Sequence, residues 1–166
     1  MKNERVKKIA VSAILTAMAI VLKTYVSIPI GIQARTLSIW PIPIILVGII
    51  CGLKFGLASG LITDIIYFFL FGGVYNPFYT ISAIAWGLCG YLIKISKKPH
   101  LMVFVYITIF SIFETANNTL GMIAYQQDVI ANLWFRIVNM IIRIPILGAV
   151  IFVLKTKVID IKKNND

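Results

Sequence analysis

The stretch WPIPIILVGIICGLKFGLASGLITDIIYFFLFG, residues 40–72, decides how the chain is read. Lys54 is its only basic residue, and the run is well over the ~20 residues that one membrane helix needs. It therefore predicts two helices that turn near Gly52-Leu-Lys-Phe-Gly56, the first short and opening on Pro41 and Pro43. Gly48, Gly52, Gly56 and Gly60 recur every four residues through this hairpin. Such a stripe of small residues lets helix backbones approach closely in lipid, either within the chain or against a partner helix. Asp64 lies inside the second helix, where an ionisable side chain calls for a partner or a cavity.

The rest of the chain has the same character. Of its 166 residues 60% are apolar and 13% charged, and its mean hydropathy is +0.93. Soluble domains run at roughly 45–50% apolar and about 25% charged, so a soluble globular domain is excluded. Six spans of ~20 residues leave about 46 for ends and connections. The expectation is an all-α membrane protein, one integral membrane domain over residues 1–166 with six transmembrane helices at about 9–26, 40–53, 55–72, 78–95, 101–125 and 131–154. The first segment follows Lys2, Arg5, Lys7 and Lys8 as a signal peptide would, yet no small-residue cleavage site follows it, so it reads as a retained helix. The polar tail from Lys155 to Asp166 is expected to fray.

The net charge is +10. In a soluble protein that would raise nucleic-acid binding; here the basic residues lie mostly in short runs between apolar segments. Twelve of the sixteen fall at the N-terminus, Lys54, Lys94/Lys97/Lys98 and Lys155/Lys157/Lys162/Lys163, all on one face of a six-span arrangement. The positive-inside bias then predicts both termini in the cytoplasm of a multi-pass protein of the cell membrane. No nucleic acid is expected among its partners.

The polar residues within the spans are one-sided. Asp64, Glu114, Arg136 and Arg143 all fall between the bilayer middle and the outer surface, with Asn117 and Asn118 one turn outward from Glu114 and Asn139 between the two arginines. Ion pairs that merely hold helices together, such as Asp64 with Arg143, have no reason to occupy only the outer half. An outward-facing, water-accessible cavity fits better. With Arg35 of the first outer loop, this set carries three positive and two negative charges and favours an anionic ligand, with arginine suited to carboxylate or phosphate. Trp40, Tyr67, Tyr75, Phe78, Tyr79 and Trp134 lie near the same level, as an interfacial belt or as stacking surfaces for a planar ring.

Catalysis is not expected. No glycine precedes a lysine, so a P-loop is absent. His100 is the single histidine, so neither a zinc-protease motif nor a Ser-His triad can be assembled. Cys51 and Cys89 are too few for a thiolate metal site or a disulfide framework. Neither a metal nor a cofactor is called for.

Several segments together resemble the substrate-binding S components of energy-coupling factor vitamin transporters. They are the short basic N-terminus, the helix striped by Ala10, Ala13 and Ala17, the six spans and the outward pocket. Arg35-Thr-Leu-Ser38, the Pro43 to Gly48 run, Asp64, Tyr75-Asn-Pro-Phe-Tyr-Thr-Ile-Ser-Ala83, Asn118-Thr-Leu120, Arg136-x-x-Asn139 and Pro145 resemble the folate-specific branch. The chain departs from that branch where Thr36 follows the arginine, where Phe78 stands for glycine and where Gly121 stands for tryptophan. The resemblance implies a subunit that captures folate outside the cell and works with a transmembrane coupling subunit and two ATPases. It implies a substrate-binding set of Arg35, Asp64, Asn76, Tyr79, Asn117, Asn118, Trp134, Arg136, Asn139 and Arg143. Asp64, Asn117 and Asn118 would read the donor edge of a pterin, while Arg35, Arg136 or Arg143 would hold the glutamate tail. Ala13 and Ala17 match the position at which such subunits dock on their coupling partner. Another planar or anionic micronutrient, such as thiamine, pantothenate or a deazapurine precursor, is the second expectation. A small stand-alone secondary transporter is the third, for which internal repeats would be expected. A structural protein of the membrane, its buried charges serving as interhelical pairs, is the fourth.

Overall fold

The structure is a computed structural model that describes residues 2–29, 36–71, 75–96, 99–126 and 129–163. Six helices account for most of them: α1 (Lys2–Tyr25), α2 (Pro41–Cys51), α3 (Leu53–Phe71), α4 (Pro77–Ile95), α5 (Pro99–Ala124) and α6 (Ile130–Lys163). Between α1 and α2 two short strands, β1 (Ser27–Pro29) and β2 (Thr36–Ser38), pair antiparallel with Ile28 opposite Leu37. This small hairpin is not expected from the sequence. Arg35, expected in the substrate set, lies outside the described residues, so the structure assigns it no position.

Four helices are long and apolar enough to cross a bilayer: α3, α4, residues Leu101–Ala124 of α5 and Leu133–Thr156 of α6. α2 is apolar throughout but has only 11 residues, about 16 Å at 1.5 Å per residue, or half of a ~30 Å hydrocarbon core. Pro41 and Pro43 start it, since neither has an N–H to contribute to a preceding turn. Gly52 ends it at φ +96°. That left-handed conformation favours glycine, and α3 begins at the next residue, so a single residue makes the turn between the two helices. At the other end of the chain α6 stays helical through Lys163, where fraying from Lys155 was expected. Lys155 contributes to this by crossing to α4, its Nζ donating to the Ile93 carbonyl at 2.9 Å.

α4 is the centre of the bundle and packs on α2, α3 and α5; α1 covers α2 and α3, and α6 lies mainly on α5. The glycine stripe of the α2–α3 hairpin faces α4 within the chain. A Cβ on Gly56 would stand 2.8 Å from the Gly87 carbonyl oxygen, and one on Gly60 would overlap the Ala83 carbonyl. Of the two readings open in the sequence, this stripe serves intramolecular packing. The apolar core between the helices holds Ile44, Ile45, Trp86, Ile93, Val103, Ile107, Leu147 and Ile151. α1 joins it through Ala19 and through a buried hydrogen bond from Thr16 Oγ1 to Ser59 Oγ at 2.8 Å. The opposite face of α1 is exposed, and Ala10, Ala13 and Ala17 lie on it among Val6, Ile14, Met18 and Val21.

Polar contacts separate the two ends of the bundle. At one end Lys155 reaches Ile93, Lys94 Nζ lies 3.5 Å from the Ile50 carbonyl and Cys51 Sγ lies 3.5 Å from the Lys8 carbonyl. These contacts bring the start of α1, the ends of α2 and α4 and the last part of α6 together, with their lysines. The other end carries Asp64 and Glu114.

Candidate functional site

At the acidic end a cavity of about 330 Å³ opens between α1, α3, α4 and α5, within the ~300–1,000 Å³ range of small-molecule sites. Each wall follows from helical spacing. α3 supplies Asp64, Tyr67 and Phe68 at i, i+3 and i+4, and α5 supplies Glu114 and Asn118 at i and i+4. α4 supplies Tyr79 and Ser82, the segment before it supplies Tyr75 and Asn76, and Lys23 and Trp40 close the remaining side.

Three polar networks hold these walls. In the first, Lys23 Nζ pairs with Asp64 Oδ1, and its ammonium lies 4.8 Å from the centre of the Trp40 ring and 4.5 Å from that of Tyr67. Thr80 Oγ1 donates to Asp64 Oδ2 at 2.6 Å. Because that proton is committed to the carboxylate, the 2.7 Å bond between the Tyr75 and Thr80 hydroxyls has Tyr75 as donor. Tyr125, beyond α5, donates to the Tyr75 carbonyl at 3.0 Å and ties the α5–α6 turn to the same segment.

In the second network Arg143 of α6 pairs with Glu114 Oε2, and Trp86 Nε1 donates to the same oxygen at 3.2 Å. The guanidinium lies 5.5 Å from the centre of the Trp86 ring. Glu114 is 8% and Arg143 9% exposed; buried charges of this kind persist when paired and further hydrogen-bonded. In the third, Ser82 Oγ donates to Asn118 Oδ1 at 2.8 Å, while Asn117 Nδ2 donates to the Phe78 carbonyl at 2.6 Å and to Ser82 Oγ at 2.9 Å.

Asn76 has a double role. Its Oδ1 caps α4 by accepting from the Phe78 backbone N–H at 3.1 Å, with Pro77 in the first helical position. Its Nδ2 is buried against Gly121 and has no partner among the described residues, while the residue as a whole lines the cavity. A buried N–H of this kind is costly unless something accepts from it. Gly121 is what lets the amide sit there, since a Cβ would stand 2.9 Å from Phe78 Cβ and 3.0 Å from Asn76 Nδ2. A tryptophan at position 121 has no room in this arrangement.

The sequence-derived set is thus partly assembled. Asp64, Asn76, Tyr79 and Asn118 line the cavity, Asn117 braces its wall, and Arg143 stands behind it through Glu114. Arg136 and Asn139 are half-buried on α6, and Trp134 is 75% exposed; none of the three lines the cavity. The pairing considered between Asp64 and Arg143 is not formed, since each has a different partner. Sequence reasoning missed Lys23 as a wall residue and left Glu114, Trp40, Tyr67, Phe68, Tyr75 and Ser82 out of the binding set. For Lys23 the signal was available: an aspartate in an apolar helix requires a counter-charge, and Lys23 is the basic residue of the C-terminal half of α1.

Residues 7–155 match the model of the family described as ECF transporter, substrate-specific component. The chain belongs to that family. A UPF0397 protein of Phytoplasma australiense is 35% identical over 136 residues, covering 77% of this chain and 68% of the relative. The substrate-specific component is a transporter part and not an enzyme, a multi-pass protein of the cell membrane. It works with the coupling and ATPase subunits of the ECF module, so nucleotide chemistry belongs to other chains. The cavity at the acidic end is the natural candidate for its substrate site.

Proposed function

We propose that this S component binds folate in the cavity bounded by Lys23, Asp64, Asn76 and Asn118, and presents it to a coupling subunit through the exposed alanine face of α1. The observation that carries the reading is the composition of the wall. Five aromatic side chains, Trp40, Tyr67, Phe68, Tyr75 and Tyr79, surround two buried carboxylates, of which Asp64 is the one beside the rings, and two amides. A flat heteroaromatic ring has faces to stack and a donor edge to satisfy, and this wall offers both. Asp64 accepts from the donor edge, Asn76 Nδ2 and Asn118 serve its acceptors, and Arg35 and Arg136 receive the carboxylates of the tail. The reading takes the chain as a single six-span domain, with the lysine-rich end of the bundle in the cytoplasm, in keeping with the positive-inside bias. The cavity then opens outward.

Protein purified in detergent without added vitamin is expected to carry a pterin chromophore and the mass of a folate at about one per chain, read by absorbance and native mass spectrometry. Titration of stripped protein with folic acid should give a Kd that Asp64→Asn raises by about 10- to 100-fold, the worth of one charge-assisted hydrogen bond. A different retained vitamin, thiamine included, would replace the ligand and keep the site. An empty protein that binds none of a vitamin panel would reject the reading.

The docking half has its own test. Ala13, Ala17 and Ala10 are exposed on one face of α1, and small residues permit close helix contact. Ala17→Trp is expected to leave folic acid binding unchanged and to abolish co-purification of coupling and ATPase subunits. Intact co-purification would remove α1 from the interface.

A further inference from the structure

We propose that Lys23 is a tethered occupant of a cation-type subsite, which the substrate enters by exchanging a ring amino or amidine-like edge for the lysine ammonium at Asp64. The inference rests on the reading of this cavity as the substrate site and adds how the site is opened and what ligand chemistry it selects. A carboxylate set between two aromatic faces is the chemistry that recognises organic cations. Here Asp64, Trp40 and Tyr67 form that set, and the group held in it is the chain's own ammonium, 4.8 and 4.5 Å from the two ring centres.

The two partners of this ion pair are held very differently. Asp64 is fixed through its other oxygen by Thr80, which is fixed in turn by Tyr75, so the carboxylate keeps its place when the lysine leaves. Lys23 sits two residues from the end of α1 on a flexible four-carbon stem and can swing without disturbing the helix. The charges give the second half of the argument. Among the described residues the charged groups on the wall and their direct partners are Lys23, Asp64, Glu114 and Arg143, two of each sign in two pairs. A purely anionic ligand would bring unmatched charge into this balanced site. A planar ligand with a donor or cationic ring and an acidic end keeps the balance: its ring takes Asp64, and the displaced Lys23 adds its charge to that of the arginines proposed for the acidic tail.

The test uses the full chain in detergent and two simple probes, benzamidinium as a planar cation and benzamide as its neutral counterpart, followed by isothermal titration calorimetry. Lys23→Met is expected to bind benzamidinium about tenfold more tightly than the wild type and benzamide no differently, with the gain lost in Lys23→Met/Asp64→Asn. Equal benzamidinium affinity in Lys23→Met and wild type would overturn the exchange. Should Lys23→Met not fold, the wild type is treated with an amine-acylating reagent and mapped by peptide mass. Saturating benzamidinium should raise Lys23 modification severalfold while benzamide does not, and unchanged modification would overturn the proposal. Folic acid separates the two readings. Gain with benzamidinium in a protein that ignores folic acid rejects folate and keeps the exchange; folic acid binding without that gain rejects the exchange alone.

Discussion

Arg143→Met is expected to cost at least ~3 kcal/mol of stability, the usual penalty for stranding one partner of a buried ion pair. Arg143 meets Glu114 where both are more than nine-tenths buried, and the carboxylate would be left with the single Trp86 N–H at 3.2 Å. Glu114 lines the substrate cavity, so the loss also places an unpaired charge beside the ligand. Arg143 has a further function that a lysine cannot copy: its flat guanidinium lies over the Trp86 ring, and a point charge on a flexible stem loses that stacking. Thermal unfolding in detergent is the measurement, with Glu114→Gln and Glu114→Gln/Arg143→Met completing the cycle. The double variant is expected to regain most of the stability, because no charge is then buried alone. Purely additive losses would show that the two side chains act independently and that Arg143 has another partner that matters more.

The charged pairs also show where sequence reading stops. The sequence places Asp64, Glu114, Arg136 and Arg143 in one outer layer, and hydropathy suffices for that, because charge in a span is conspicuous. Which cation meets which carboxylate depends on helix rotation and neighbour order, which a periodic pattern leaves open. Lys23 pairs with Asp64 because α1 lies on α3, and Arg143 with Glu114 because α6 lies on α5. Near the end of an apolar helix a lysine also fits a snorkelling position towards the headgroups, so its place in the sequence alone does not pair it with Asp64. The aromatic residues were ambiguous for a similar reason. The sequence allows Trp40, Tyr67 and Trp134 alike as interfacial residues or stacking surfaces, yet the first two line the cavity and Trp134 is exposed.

Local chemistry was the more readable part. The prolines that open α2 and the turn at Gly52 each have a mechanism confined to a few residues, and each appears where the sequence puts it; α4, expected from about residue 78, starts one residue earlier at Pro77 with Asn76 as its cap. The β1–β2 hairpin has no such signal, being two three-residue strands in a segment without a hairpin turn motif. α6 continues past Thr156, and just before that point Lys155 finds a carbonyl on α4, a contact distant in sequence.

The glycine stripe leads to the second large effect. Gly87→Leu is expected to destroy the fold of the α2–α3–α4 layer, leaving little or no monodisperse protein after purification. On α4, Gly87 meets both helices of the hairpin: a Cβ there would overlap the Gly56 carbonyl, while Cβ atoms on Gly56 and Gly48 would each run into the Gly87 carbonyl. The atoms in the way are backbone, so no side-chain rotation can relieve the clash, and the cost lies at or above the upper end of the ~1–3 kcal/mol typical of overpacking. Separating α3 from α4 has a consequence at the site as well. Asp64 and Thr80 stand on these two helices, and an ångström of added separation breaks the hydrogen bond that orients the carboxylate. Gly87→Ala should therefore weaken ligand binding even where enough folded protein survives to be assayed. Gly52→Ala supplies the contrast: its backbone at φ +96° strains any L-residue, yet the nearest atom to its Cβ is the mobile end of Lys94, 4.0 Å away. That substitution should cost about 1–3 kcal/mol and leave binding intact. If size-exclusion profiles and unfolding temperatures placed Gly87→Leu and Gly52→Ala side by side, backbone contact between α3 and α4 would not be what holds the cavity in shape.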